Sequence, residues 1–225
     1  MNIIENAAEK IREFNSNPKD RPRESYHSVL AARAGRGSFV HENGSVGDKY
    51  LDMIDWALRS YFMMNRGNRM GDKEEFVNKL INKLRSDETK RILARLRDVS
   101  ITSPNLEDYK SDSEELYESL SNPRDGLSAD GSCFCVGATK VMHCLFPELF
   151  IMLDQNVAKA VGYSSGQYNN FSSYWKVMKI CSNELTEWRR IYGSTDSLLQ
   201  LDLPPTTLTR TFDKCASIMG IRAKS

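Results

Sequence analysis

A lysine, a histidine and an aspartate fall within residues 133–163, which read CFCVGATKVMHCLFPELFIMLDQNVAKAVGY. Lys140 carries an amine that can form a Schiff base once burial or a neighbouring cation lowers its pKa. Asp154 carries a carboxylate able to stabilise developing positive charge or to position a water. Lys140 and His143 are three residues apart, so on a helix they share a face with Val136 and can border a pocket. Each of these residues also has a plainer reading. Asp is among the preferred helix N-caps, and Asp154 stands just ahead of an apolar helical pattern. Lys140 reads equally as a solvent-exposed lysine, His143 as a satisfied helix histidine, and Gly137 as a residue that lets helices pack closely.

The elements that must position these side chains are helical. Phe134, Ala138, Val141, Met142 and Leu145 recur at three- and four-residue intervals, which predicts a largely buried helix over 134–146. Phe146-Pro147 ends it, because the residue before a proline is pushed out of the α region. A short connection over 148–153 leads to Asp154 and a second helix through Val157, Ala158, Ala160 and Val161, stopped by Gly162.

The same periodicity surrounds this unit. Ile3, Ile4, Ala7, Ala8, Ile11 and Phe14 predict an amphipathic helix over 2–15. A short helix is expected over 24–34. Leu51, Ile54, Leu58 and Tyr61 predict a helix over 48–64. Asp72 caps the next, whose inward face is Phe76, Val77, Leu80, Ile81 and Leu84, and another follows Ser86-Asp87 with Ile92, Leu93, Leu96 and Val99. Residues 100–113 read as a polar surface loop, and 114–120 as a short helix. Phe171, Tyr174, Trp175, Met178, Cys181, Leu185 and Trp188 predict a helix of about six turns over 168–190. Thr206 or Thr207 caps the last helix, with Leu208, Phe212, Cys215, Ile218 and Met219 inward. No strand alternation of any length is present. The expectation is an all-α, single multi-helix domain of nine or ten helices, with any two-lobe division near 100–123.

Bulk composition narrows the partners. The 225 residues carry 31 basic and 30 acidic side chains, a formal charge of +1, so no global field draws a polyanion and such binding needs a local basic patch. Candidate patches are Arg66 and Arg69 in the glycine-containing loop 65–71, the Lys/Arg face of 79–97, and the basic run 19–36. Their plainer readings are a helix C-cap favourable to the dipole and solvated charged faces. The five cysteines are irregularly spaced, and Cys133-Phe134-Cys135 leaves one residue between its sulfurs rather than the two to four of zinc pairs. No metal or cofactor is expected. No segment approaches the roughly 20 apolar residues that span a bilayer, and no signal peptide is apparent, so a cytoplasmic protein with all cysteines reduced and no membrane partner is expected.

Two segments carry a family resemblance. Cys135-Val136-Gly137-Ala138-Thr139-Lys140 and Leu153-Asp154-Gln155-Asn156-Val157-Ala158-Lys159-Ala160 resemble the core of helix-hairpin-helix base-excision DNA glycosylases. That resemblance implies an all-α protein that binds double-stranded DNA through backbone amides of the hairpin and removes damaged bases. It implies Gly137 at the phosphate-binding hairpin, Lys140 as the lysine nucleophile of bifunctional members and Asp154 as the catalytic aspartate. Excision from a duplex requires a flipped base, hence a pocket, which His143 would border. The alternative is a non-catalytic, all-helical binding or regulatory module.

Overall fold

The computed structural model describes residues 2–16, 39–60, 70–164, 166–201 and 207–223. The protein is all-α. Ten α-helices are present among the described residues: α1 (Ala7–Ser16), α2 (Asp48–Ser60), α3 (Lys73–Arg85), α4 (Asp87–Leu96), α5 (Lys110–Ser121), α6 (Cys135–Leu145), α7 (Gln155–Ala160), α8 (Phe171–Tyr192), α9 (Asp196–Leu199) and α10 (Leu208–Arg222). Among the same residues the sole β pairing is an isolated antiparallel bridge between Val40 and Val46. The helix expected over 24–34, the end of that over 48–64, and the basic run 19–36 lie outside the described residues, apart from residues 48–60 of the second.

The helices fall into two compact units. One contains the described residues among 1–20, 100–106 and 147–225, hence α1 and α7 to α10. Its longest element, α8, begins where the Asn170 side chain accepts from the Ser173 N–H and ends at Gly193. Gly193 has φ +76°, the left-handed conformation that closes a helix at little cost to glycine. The inward stripe of α8 is Phe171, Tyr174, Trp175, Met178, Cys181 and Leu185, as its spacing predicts.

Within this unit α10 packs against α7 and α1. A Cβ at Gly220 of α10 would overlap the Asn156 carbonyl oxygen, so only glycine permits the α7 contact. The chain from Pro147 to Leu153 is irregular, yet Leu149, Phe150, Ile151, Met152 and Leu153 are buried. Buried irregular backbone needs partners. Here Thr209 Oγ1 donates to the Pro147 carbonyl, the Ile101 N–H to Glu148 at 2.9 Å, and the Tyr174 hydroxyl to Ile151 at 2.9 Å.

The first helix differs from the expectation over 2–15, for it starts at Ala7. Asn6 has φ +56°, which interrupts a right-handed helix, and the Ile3 and Ile4 N–H groups donate instead to the Glu184 carboxylate at 2.7–3.0 Å. Ile3 and Ile4 are still buried, so the apolar pattern reported burial correctly while the backbone took another route.

The other unit holds the described residues among 21–99 and 107–146, hence α2 to α6. The Asp72 carboxylate caps α3 by accepting from the Glu74 and Glu75 N–H groups, and the Ser86 hydroxyl caps α4. At the far end of α2, Arg59 pairs with the buried Asp55 at 2.8 Å, donates to the Gly71 carbonyl at 3.0 Å and lies over the Phe76 ring. Burial raises the Asp55 pKa, against the pull of Arg59. α6 packs on α5 and α2. Apart from Val136 every residue of α6 is buried, as the spacing over 134–146 predicts. The Tyr50 hydroxyl of α2 donates to the Cys144 carbonyl. The expected surface loop over 100–113 is shorter than predicted, since α5 begins at Lys110 and buries Asp112 and Ser113.

Candidate functional site

Lys140 sits in the middle of α6 with 9% of its surface exposed, which overturns the plainer reading of a solvent-exposed lysine. His143, one turn later, is fully buried. The Lys140 charge acts on the Cys144 thiol, which burial nevertheless pushes up to about 12. Gly137 lies in the first turn of α6, buried beneath the ring of Phe134, where a Cβ would overlap that ring. Close packing of this kind is what the plainer reading of Gly137 anticipates.

Asp154 is the N-cap of α7. Its Oδ1 accepts from the Asn156 N–H at 2.8 Å and the Val157 N–H at 3.0 Å. The Tyr168 phenol feels the Asp154 charge: burial raises its pKa and the carboxylate raises it further. Nothing in the sequence singles out Tyr168, which follows Gly166-Gln167 in a polar turn. Gly137, Lys140 and His143 belong to the unit of α2 to α6, and Asp154 and Tyr168 to the unit of α7 to α10. Arg66 and Arg69 lie outside the described residues.

Among the described residues, each unit carries a groove. In the unit of α2 to α6, a groove of about 440 Å³ runs between α3 and residues 123–131. Its charged lining is Lys79, Lys83, Arg124 and Asp125. Lys83 reaches Asp125 at 2.9 Å, and Lys79 reaches Glu75 at 2.8 Å. The remaining basic face of α3 and α4 is similarly interleaved with carboxylates: Arg85 with Asp48, Lys90 with Asp87, Arg95 with Asp112 and Arg97 with Glu42. Exposed pairs such as Lys79–Glu75 and Arg85–Asp48 hold by at most about 1 kcal/mol each, so a stronger anion can displace those carboxylates, whereas Asp112 is buried.

In the unit of α7 to α10, a larger groove of about 750 Å³ has the opposite sign. Glu5, Glu184 and Glu187 line it beside Trp188, Ile191 and Tyr192. Its lining contains no lysine or arginine. Of the two, a polyanion fits only the first.

The cysteines depart from the expectation that all five are reduced. Cys133 and Cys135 form a disulfide across Phe134, with Cα atoms 5.4 Å apart, inside the span a disulfide bridges. The turn from Ser132 into α6 brings them together, a closure that the irregular cysteine spacing does not reveal. Cys144, Cys181 and Cys215 are free and buried.

Among the described residues no three His, Cys, Asp or Glu side chains gather as a metal-binding group, and no helix is long and apolar enough to cross a membrane. No protein-family model, curated protein or solved structure matches the chain.

Proposed function

We propose that this chain binds double-stranded DNA and excises a damaged base, with the groove between α3 and residues 123–131 holding the sugar-phosphate backbone. The observation that carries the binding reading is the groove's lining of Lys79, Lys83 and Arg124, which outnumber the carboxylates they meet, Asp125 in the lining and Glu75 beside Lys79. Lysine and arginine side chains that neutralise phosphates release condensed counterions, which drives association on a chain of near-neutral overall charge. Excision rests on the resemblance of residues 135–140 and 153–160 to helix-hairpin-helix glycosylases.

In that reading the duplex gives up one nucleotide, flipped out at the cost of its stacking. The Asp154 carboxylate stabilises positive charge as the base departs from its sugar. By the resemblance alone, the Lys140 amine is the nucleophile that attacks the sugar carbon losing the base and forms a Schiff base. Oδ1 of Asp154 caps α7, which fixes the carboxyl group in one orientation.

The test has two arms. Binding to a duplex oligonucleotide is measured against salt, and replacing Lys79, Lys83 and Arg124 by glutamine should lower the log–log slope by roughly two to three. Binding indifferent to salt, or untouched by the triple change, would remove the groove from the reading. In the second arm, DNA carrying an abasic site or a damaged base is incubated with the protein and then borohydride. A covalent adduct that disappears in Lys140→Ala supports excision.

A second reading is favoured by one observation: Asp154 already has a structural task as the cap of α7. It is a helical DNA-binding module without catalysis. Salt-dependent binding with neither adduct nor base release would select it.

A further inference from the structure

We propose that Cys133 and Cys135 form a thiol–disulfide exchange site whose substrates are thiols. Neither the groove nor the excision reading uses this pair. Three features of the structure carry it.

The first is asymmetric access. Cys133 is exposed, whereas Cys135 is 4% exposed, so an incoming thiolate meets one sulfur and not the other. The second is the position of the leaving sulfur. Cys135 is the first residue of α6, and the residue before it, Phe134, supplies no side-chain hydrogen bond to the helix start. The first-turn N–H groups of a helix and its dipole both favour an anionic sulfur. The third is the rigidity of the residue between the two cysteines. The Phe134 N–H donates to the Ser121 carbonyl at 3.0 Å, its own carbonyl accepts from Ala138 at 2.7 Å, and its ring is 1% exposed over Gly137. After reduction this clamp keeps the two thiols close, which raises their effective concentration toward re-forming the bond.

The other three cysteines cannot take this role. Burial pushes the Cys144 and Cys215 thiols up to about 12 and raises that of Cys181 as well, so each lacks both thiolate character and access.

The exchange proceeds in two displacements. A thiolate attacks Sγ of Cys133; a new S–S bond forms to it and the Cys133–Cys135 bond breaks. The electron pair of the broken bond leaves on Cys135, which takes a proton from solvent. A second thiolate then attacks the substrate sulfur of the mixed disulfide, releasing Cys133 as a thiolate. Two substrate thiols are thereby oxidised to one disulfide and the protein disulfide is reduced to a dithiol. The reverse sequence oxidises the dithiol at the expense of a substrate disulfide.

The experiment uses the full chain equilibrated with mixtures of reduced and oxidised glutathione, quenched with a maleimide and weighed by mass spectrometry. Two labels should appear together as the mixture becomes more reducing, both on the peptide containing Cys133 and Cys135. In Cys135→Ser, oxidised glutathione should attach to Cys133 at least about tenfold faster than it attaches to Cys135 in Cys133→Ser. Should either variant fail to fold by circular dichroism, acid-quenched wild type still reports the mixed disulfide, which should map to Cys133. Five labels in the most oxidising mixture, a pair that stays oxidised in the most reducing one, or attachment first at Cys135 would each overturn the proposal.

Discussion

The helices α6 and α10 are buried to a similar degree by different means. α6 buries alanine, valine, methionine and leucine around Lys140 and His143, and it is seated by shape: Phe134 lies where Gly137 leaves room. α10 buries Phe212, Cys215 and Ile218 on one side, but also Arg210, Asp213 and Lys214. Arg210 and Asp213 pair directly, both nearly inaccessible. The Arg210 guanidinium and the Lys214 ammonium lie 5.1 and 5.5 Å from the Phe14 ring centre, and Lys214 reaches Asn15 Oδ1 at 3.3 Å. An apolar helix gains stability roughly in proportion to the area it removes from water. A buried ion pair breaks about even, because desolvation consumes most of the attraction, yet losing one partner is costly. The two helices should therefore fail differently.

The largest effect is expected from Arg210→Met, which removes the guanidinium that pairs with the buried Asp213 carboxylate. A loss of about 3–5 kcal/mol in denaturant unfolding is expected. Adding Asp213→Leu should recover most of it, since an apolar pair of similar volume suits a buried site at least as well. If the single change costs less than about 1 kcal/mol, α10 is held by its apolar side alone and the contrast with α6 disappears.

The second test falls on α6. Alanine at Gly137 improves helix propensity by about 1 kcal/mol, but its Cβ would overlap the ring of the buried Phe134. Overpacking should win, for a net loss of about 1–3 kcal/mol measured by the denaturant midpoint. A gain in stability would mean that Phe134 yields easily and that shape does not hold α6.

The same contrast explains what can be read from the amino acids. Helices α2, α3, α4, α6 and α8 follow from apolar spacing over several turns, and the caps Asp72, Asp154 and Thr207 follow from residue type. The apolar side of α10 is legible in the same way. Its charged side is not, because Arg210, Asp213 and Lys214 read as a solvated face unless Phe14 and Asn15 are known to be near. The late start of α1 rests on Glu184, some 180 residues away, accepting two backbone N–H groups, a contact no local pattern contains. α5 reaches back to Lys110 through polar residues that show no periodicity. Of the candidate site, Lys140 and Asp154 rest on resemblance alone, the Asp154 cap follows from residue type, and the burial of Lys140 follows from no local pattern. The Cys133–Cys135 disulfide was concealed because a one-residue spacing fits no common ligand pattern. Tyr168 carried no signal at all.

The smallest stability change is expected at Asp154, whose helix α7 is the one against which α10 packs at Gly220. Two duties are assigned to this side chain, one structural and one proposed, and they can be separated by charge. An asparagine would keep an oxygen where Oδ1 accepts from Asn156 and Val157, so Asp154→Asn should unfold within about 0.5 kcal/mol of wild type. Asp154→Ala removes that oxygen and should cost about 1 kcal/mol, still far less than the loss at Arg210. If capping is the residue's whole task, Asp154→Asn leaves base release and borohydride trapping unchanged. If the carboxylate stabilises charge as a base departs, the same variant should fold normally and lose roughly 10²-fold or more in the rate of base release. A well-folded Asp154→Asn with full excision activity would confine Asp154 to the end of α7 and leave the charge on the departing sugar without its proposed partner.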